Sequence, residues 1–263
     1  MNLKKYIKAF LMFVNRGAVK PVFILGCGHS GTSILLSILD NHESIYAIQN
    51  ETSLFYESKV NILAAVFSWH KKGKTLGKSY IVEKTPMHIY KINEILTLFP
   101  NARVLLMLRD GRDVACSIRE RTGDFKKGIN KWVKVNEEGF KYWTHPRVKV
   151  VRLEELTKDG PKVLTNVCKF IGIEYQPTML EKQGKQEKLF YTKTLTDTKD
   201  FDTATTHQAH MNRRNWQINQ GLFSSTERWK KELSKEEVDL FNECAKENLE
   251  RYGYVSDAVD MAI

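Results

Sequence analysis

Short apolar segments alternate along the chain with segments whose apolar residues recur at helical spacing. The apolar segments have the length of buried strands, and polar or glycine-containing turns follow them. We predict strands at Val22–Leu25, Ile45–Ile48, Ser79–Val82, Arg103–Leu108 and Lys149–Leu153. Because strands that alternate with helices form βαβ units, the pattern predicts an α/β fold with a central parallel β-sheet flanked by helices.

Helical spacing predicts helices between these strands, near residues 34–39, 86–99, 112–121 and 161–170. The last helix has the clearest boundaries, since Ser234 and Glu237 form a capping box and Arg251 with Gly253 is typical of a helix end. Residues 181–206 are polar with few apolar positions, which predicts a long loop or lid. No repeat or linker interrupts the sequence, so we expect one domain over residues 1–263.

Residues 1–19 form a basic, amphipathic segment in which Lys4, Lys5 and Lys8 lie among apolar residues. The apolar run Ala9–Val14 is too short for a spanning helix, which needs roughly 20 residues. No cleavage site typical of a signal peptide follows it. The segment fits either a helix on a membrane surface or a helix packed on the domain, and we favour packing. We expect a cytoplasmic protein without a transmembrane segment, for which peripheral membrane contact stays open.

The chain is basic, with 41 Lys and Arg residues against 31 Asp and Glu residues, a formal charge of 41 − 31 = +10. This surplus favours anionic partners such as nucleotides, sulfated molecules, nucleic acids or membrane surfaces, and does not choose among them. The four cysteines are far apart and form no C-x-x-C pair. We therefore expect buried free thiols and no metal site.

A glycine-rich turn, Gly26–Gly31, lies between the first predicted strand and a predicted helix. Glycines allow a sharp turn, and backbone N–H groups at a helix N-terminus attract an anion. The spacing matches the loop of nucleoside triphosphatases, but Thr32 stands where those enzymes have a phosphate-binding lysine. The turn fits either a site for a less charged phosphate, bound by N–H groups and the hydroxyls of Ser30, Thr32 and Ser33, or a turn that only joins a strand to a helix.

A second group of basic residues follows the most apolar predicted strand. Arg109 lies at the carboxyl end of that strand, where ligands collect in open parallel sheets. Ser117 lies about two helical turns later, and Arg121 lies one turn beyond it on the same face. We predict that these three side chains converge on one phosphate; surface ion pairs with the nearby aspartates are the alternative. For Arg112 and Asp113 we favour such a surface pair or an internal salt bridge.

Together these motifs resemble the PAPS-dependent sulfotransferases, whose phosphate loop also lacks that lysine. Phe23–Phe55 is similar to the family's loop for the 5'-phosphosulfate of 3'-phosphoadenylyl sulfate (PAPS), and Leu98–Arg121 is similar to its 3'-phosphate motif. Within the latter, Leu98–Arg112 especially resembles the tyrosylprotein sulfotransferases and related bacterial enzymes. Val150–Leu156 resembles a family strand that ends in Arg-Tyr-Glu-Asp-Leu. The resemblance covers residues 20–175 and, more loosely, the last helix.

The resemblance implies a P-loop-like sulfotransferase fold and the in-line transfer of a sulfuryl group from PAPS to a hydroxyl or amine. No metal and no nucleic acid are expected to take part. Carbohydrate or peptide acceptors are favoured over lipids and small molecules. The residues implied to bind the donor are Cys27, Gly28, His29, Ser30, Gly31, Thr32, Ser33, Arg109, Ser117 and Arg121.

The resemblance also implies three catalytic residues. Glu51 follows the second predicted strand, in the region where relatives have their general base; an exposed loop glutamate is the alternative. His29 stands where most relatives have Lys or Arg beside the sulfuryl group, and a histidine there donates one hydrogen bond or, when protonated, supplies charge. Lys84 resembles a lysine that reaches the leaving-group oxygen, or is a solvated lysine at a strand end.

Two further regions depart from the family pattern or match it weakly. Leu153 stands where relatives often have a tyrosine that contacts the nucleotide. Relatives close the nucleotide with a basic, glycine-containing loop, for which Arg213–Lys231 is the candidate region. Its candidate residues are Arg214, Gly221, Ser225 and Trp229. Tryptophans in such a region, Trp216 and Trp229, are more often core residues than stacking platforms.

Two other functions compete with sulfuryl transfer. A P-loop kinase predicts magnesium-dependent binding of ATP, and Thr32 in the lysine position argues against it. A basic nucleic-acid-binding protein without catalytic activity predicts salt-sensitive binding to DNA or RNA. Against it, the sequence contains no zinc finger, no RNP-like aromatic motif and no helix densely lined with arginine.

Overall fold

A five-stranded sheet forms the centre of the protein, in a computed structural model that describes residues 3–181 and 226–254. Its strand order is β2-β3-β1-β4-β5, and all four neighbouring pairs are parallel. The strands are β1 Pro21–Gly26, β2 Ile45–Ala47, β3 Tyr80–Lys84, β4 Arg103–Leu108 and β5 Val148–Arg152. The predicted parallel sheet flanked by helices is thus confirmed.

Ten α-helices lie in the described residues, and we number them in chain order. The first five are α1 Leu3–Asn15, α2 Thr32–Asp40, α3 Lys59–Thr75, α4 Ile92–Leu98 and α5 Gly111–Thr122. The second five are α6 Phe125–Phe140, α7 Leu153–Lys158, α8 Gly160–Ile171, α9 Trp229–Glu232 and α10 Lys235–Arg251. Within the described residues, no helix is both long and apolar enough to cross a membrane.

The core has two halves, one on each face of the sheet. Alternate side chains of β1 enter different halves. Phe23 belongs to the cluster that includes residues of α3, α5, α6 and α10, whereas Ile24 belongs to the cluster that includes residues of α2 and α8. Side chains of neighbouring strand residues point to opposite faces, so a strand covered on both sides is apolar throughout. All six residues of β1 are buried accordingly.

Two long helices, α3 and α6, were absent from the sequence-based prediction. Helix α3 contacts both α1 and β3, so its apolar residues occupy more than one face and blur the helical period. Helix α6 contains Gly128, where a β-carbon would lie 2.7 Å from the backbone of Ala115. That glycine allows close packing of α5 and α6, but in the sequence it weakens the helical pattern.

The prediction of one continuous helix from residue 86 to 99 was wrong, because two helices of different type cover this segment. Pro86–Lys91 is a 3₁₀ helix, and the α-helix begins only at Ile92. The last helix begins as predicted, with Ser234 and Glu237 in a capping box. The cysteines of the described residues are free, and all are buried except Cys244. The predicted loop at 181–206 lies outside the described residues from 182 onward.

Candidate active site

All five strands end at one edge of the sheet, and the candidate residues follow these ends. The glycine-rich loop follows β1, Glu51 follows β2, Lys84 is the last residue of β3, and Arg109 follows β4. Leu153 follows β5 and begins α7. In open parallel sheets this carboxyl edge is where ligands bind. Backbone topology therefore brings residues from five separate parts of the sequence to one place.

The loop after β1 holds two residues in the left-handed region of backbone space. His29 has φ 71° and Gly31 has φ 84°. At Gly31 a β-carbon would also lie 2.7 Å from Leu153 Cδ1, so both backbone conformation and packing require glycine there. Leu153, which departs from the family's tyrosine, is buried against this turn. A non-glycine residue at positive φ is uncommon and occurs often at ligand-binding sites.

Helix α2 begins directly after this loop, and its N-cap residue, Gly31, has no side chain that could cap it. Thr32 is its first residue and is buried, whereas Ser33 is half-buried. The Ser30 hydroxyl is buried without a hydrogen-bond partner among the described residues. Since an unpaired buried hydroxyl is unfavourable, its position fits a loop that gains a partner when an anion binds.

Arg109 connects this loop to the next strand end. Its Nη1 donates a hydrogen bond to the carbonyl oxygen of His29 at 2.9 Å, directly before Ser30. The carbonyl oxygen of Arg109 in turn accepts from Nε1 of the buried Trp132 at 2.9 Å. Ser30 and Arg109 therefore lie on the same side of the molecule, which a nucleotide bound by both would require.

The aspartates that follow Arg109 form internal ion pairs. Arg109 Nη2 lies 3.4 Å from Asp113 Oδ2, and both side chains are buried. Burial raises the pKa of Asp113, opposed by Arg109 and by hydrogen bonds from the backbone N–H groups of Trp229 and Glu227. Arg112 pairs with Asp110 at 2.7 Å. The pairs are buried, so the alternative of exposed surface pairs is wrong. Arg112 and Asp113 do form internal salt bridges, but with Asp110 and Arg109 and not with each other.

The other two predicted phosphate ligands lie further along α5. The Ser117 hydroxyl donates to the carbonyl oxygen of Asp113 at 3.1 Å, and its side chain is half-buried. Arg121 is exposed and has no ion pair among the described residues. Of the three predicted ligands, only Arg109 touches the glycine-rich loop through a described hydrogen bond. Ser117 and Arg121 lie one helical turn apart, in the second half of α5.

Glu51 and Lys84 form an ion pair at the ends of β2 and β3. Lys84 Nζ lies 2.5 Å from Glu51 Oε1. The lysine side chain is buried, with 1% exposed, whereas 34% of the glutamate side chain is exposed. A carboxylate that is reachable from solvent and adjacent to a buried cation can accept a proton from a bound molecule. The pair thus provides a base and a cation in one location.

A hydrogen-bond network missed by the sequence analysis holds the Glu51 segment in place. The buried Glu83 carboxylate accepts from the hydroxyls of Thr52 at 2.9 Å and Thr85 at 2.5 Å, and from His88 Nδ1 at 3.3 Å. Thr52 also donates its backbone N–H to Thr85 Oγ1 at 2.9 Å. Because Thr52 directly follows Glu51, this network fixes the backbone next to the candidate base.

A second feature that the sequence analysis missed is Lys131 of α6. Its Nζ lies 3.6 Å from the place that a β-carbon on Gly28 would occupy. Burial raises the pKa of the neighbouring Cys27 thiol to about 12, while Lys131 opposes that shift. Cys27 is therefore a neutral, buried thiol. No motif marks Lys131, because it lies far from the loop in sequence.

Most of the predicted nucleotide-closing loop, from Arg213 to Ser225 and including Arg214, Trp216 and Gly221, lies outside the described residues. The described part contains Trp229, which is buried as a core residue, as predicted. The Arg112 guanidinium lies over its ring at 3.8 Å. The backbone N–H of Trp229 is bonded to Asp113. The segment thus packs on the start of α5, where it contacts the buried charged side chains of Asp113 and Arg112.

Comparison with known proteins found a family model that matches the middle of the chain. Residues 48–177 match the family model described as the sulfotransferase family. This match contains Glu51, Lys84, Arg109, Ser117 and Arg121 but begins after the glycine-rich loop. A comparison with curated protein sequences found no match.

Solved structures of several sulfotransferases share the fold. The sulfotransferase domain from the curacin biosynthetic pathway is 17% identical, with a TM-score of 0.61, over 88% of this chain and 98% of that one. The sulfotransferase domain of the Synechococcus PCC 7002 olefin synthase is also 17% identical, with a TM-score of 0.55, over 87% and 96% of the two chains. The sulfotransferase STF9 from Mycobacterium avium is 11% identical, with a TM-score of 0.51, over 94% and 80%.

Proposed function

We propose that this chain, which matches the sulfotransferase family model over residues 48–177, transfers a sulfuryl group from PAPS to a hydroxyl or amine. One observation supports the proposal above the others. The Arg109 guanidinium is hydrogen-bonded to the glycine-rich loop at the sheet edge where Lys84 is paired with Glu51. The residues proposed to bind the donor therefore lie at the same edge of the sheet as a carboxylate and a buried lysine.

The donor nucleotide is proposed to lie across the ends of β1 and β4. Backbone N–H groups of residues 27–33 and the start of α2 bind the 5'-phosphosulfate, together with the Ser30 hydroxyl. Arg109, Ser117 and Arg121 bind the 3'-phosphate. Supporting this arrangement, the N-cap residue of α2 is a glycine without a capping side chain, and exposed Arg121 has no ion pair among the described residues. The motif at 98–112 supports a donor site like that of the tyrosylprotein sulfotransferases.

Glu51 is proposed to act as the general base. It takes the proton of the acceptor hydroxyl or amine while the acceptor's oxygen or nitrogen forms a bond to sulfur. The bond between sulfur and the bridging phosphate oxygen breaks in line, and its electron pair leaves with adenosine 3',5'-bisphosphate (PAP). Glu51 suits this role because its carboxylate is partly exposed while its backbone is fixed by the Thr52–Glu83 network.

Lys84 and His29 are proposed to stabilise charge that develops during the transfer. Lys84 Nζ is buried beside Glu51 and donates to the leaving oxygen once the donor binds. His29 lies at the turn of the phosphate loop, where its ring donates a hydrogen bond to the sulfuryl group. Lys131, whose Nζ lies close to Gly28, supplies a further cation beside the phosphate loop.

Sulfuryl transfer is tested by incubating the full chain with labelled PAPS and carbohydrate, peptide, lipid and small-molecule acceptors, followed by mass spectrometry. We expect a sulfated product with a carbohydrate or peptide and expect the substitution Glu51→Gln to lower kcat by about 100-fold or more. PAP affinity of that variant should stay unchanged.

Glu57→Gln is the matched control for this test, because Glu57 is an exposed carboxylate six residues away that is bonded to Asn61. It should keep wild-type turnover. Transfer of phosphate from ATP in the absence of any sulfated product would refute the proposal. Equal turnover of Glu51→Gln and Glu57→Gln would refute the role of Glu51 alone.

A further inference from the structure

Helix α1 has two apolar faces, only one of which is covered by the described protein. Ala9 and Met12 are buried, and the helix packs on α3. The packing that we favoured from sequence is therefore confirmed, but it leaves most of the large apolar side chains exposed. These exposed residues, which we call the outer face of α1, are Leu3, Tyr6, Ile7, Phe10, Leu11, Phe13 and Val14.

The outer face contains most of the exposed large apolar side chains in the described residues. The exposed fraction is 66% for Leu3, 65% for Phe10 and 57% for Val14. Leu3, Ile7, Phe10 and Val14 recur at three- and four-residue spacing and so form one stripe along the helix. A continuous exposed apolar stripe of this kind marks an interaction surface.

The charge around the outer face is exclusively basic within the helix and the segment that follows. The first acidic residue of the chain is Asp40, whereas Lys4, Lys5, Lys8 and Arg16 all precede it. Lys8 Nζ donates to Ser68 Oγ of α3 at 3.3 Å, so the basic edge of α1 lies next to that helix. The last turn of α3 contributes further basic residues, Lys72 and Lys74.

We propose that the outer face of α1 binds the surface of an anionic lipid bilayer. An apolar stripe with lysines at its edges inserts at the boundary between headgroups and acyl chains, while the lysines attract anionic headgroups. The helix has 13 residues, which is too short to cross the bilayer. A second copy of this chain fits less well, because two basic faces on chains of charge +10 would repel each other.

Co-sedimentation of the full chain with vesicles tests this proposal. Vesicles of phosphatidylcholine mixed with phosphatidylglycerol should carry the protein into the pellet, less so at high salt, whereas pure phosphatidylcholine should bind it weakly. Phe10→Glu should lower the partition coefficient by about tenfold or more, since it removes an aromatic side chain that would insert into the bilayer and adds repulsion from the anionic headgroups. Its thermal unfolding should match the wild type because Phe10 is exposed.

Asn130→Glu is the matched control, since it makes the same change in charge at an exposed position of α6. It should retain vesicle binding close to that of the wild type. Wild-type protein that stays in the supernatant with anionic vesicles would overturn the proposal. An equal loss in both variants would also overturn it, as would a wild-type dimer in sedimentation velocity that Phe10→Glu dissociates.

Discussion

The N-termini of two helices lie at the same edge of the sheet, and they differ in their capping groups. Helix α2 follows β1, and its N-cap residue is Gly31, which has no capping side chain. Helix α5 follows β4, and the Asp110 carboxylate accepts from the Arg112 N–H at 2.9 Å and pairs with the Arg112 guanidinium. Both arise from the same strand–turn–helix arrangement. The N-cap residue of α2 supplies no acceptor for the helix N–H groups, whereas the protein's own carboxylate accepts at the start of α5.

This difference corresponds to the two phosphate sites that we propose, one for the 5'-phosphosulfate at α2 and one for the 3'-phosphate near α5. At α2 the backbone itself supplies donors, so the side chains there are small. At α5 an external phosphate would have to compete with Asp110 and Asp113, and Glu154 also accepts the Asp110 N–H at 2.8 Å. The proposed ligands for the 3'-phosphate are therefore side chains, namely Arg109 before α5 and Ser117 and Arg121 further along it. The three predictions below address this contrast.

The largest expected effect is that of Arg109→Met. The substitution leaves the Asp113 carboxylate buried without its cation, which costs about 3–5 kcal/mol in the free energy of unfolding. It also removes the hydrogen bond to the His29 carbonyl, so PAP affinity should fall. Chemical denaturation and calorimetry measure the two losses.

A second variant separates these two effects. Arg109→Met combined with Asp113→Asn removes the unpaired charge and should restore part of the stability without restoring PAP affinity. If affinity recovers together with stability, Arg109 is only structural and its proposed role in binding the 3'-phosphate is wrong.

Ser30→Ala should produce a smaller effect: nucleotide binding should weaken, whereas the stability of the fold should not fall. Removing a buried hydroxyl without a described partner should leave stability unchanged or raise it. Loss of a hydrogen bond to a charged phosphate should weaken nucleotide binding by about 1.5–3 kcal/mol. We expect this loss for both adenosine 5'-phosphate and PAP, measured by calorimetry.

Ser117→Ala is the comparison variant at the other end of the site. It should weaken PAP binding but leave the affinity for adenosine 5'-phosphate unchanged, because that ligand lacks the 3'-phosphate. The same pattern for both serine variants would contradict our assignment of separate sites to the two phosphates.

The smallest expected effect is that of Glu237→Gln, which concerns the packing of α10 on α5 and leaves nucleotide binding unchanged. Arg119 lies 2.6 Å from Glu237 and lowers the pKa of its carboxyl group. Since the native pKa is depressed, the stabilisation is complete above the ordinary pKa of Glu and is lost as pH falls through the native pKa. Denaturation at pH 7 should show a loss of about 1 kcal/mol, and the loss should disappear in acid.

The strands and the loop could be predicted because they depend on local sequence. An apolar run followed by glycines specifies β1 and its turn, and the same reasoning located Arg109 at the end of β4. The pairing of Lys84 with Glu51 and the position of Lys131 depend on contacts between distant parts of the chain, which no local pattern contains. Helix α3 was missed for the same reason, because it is covered by α1 as well as by the sheet.

Calorimetric titration of the wild-type protein with PAP and with ATP, each with and without magnesium, tests the central claim most directly. We predict that PAP binds without magnesium, and more tightly than ATP with magnesium. Binding of magnesium–ATP without detectable binding of PAP would contradict the claim and would favour a kinase.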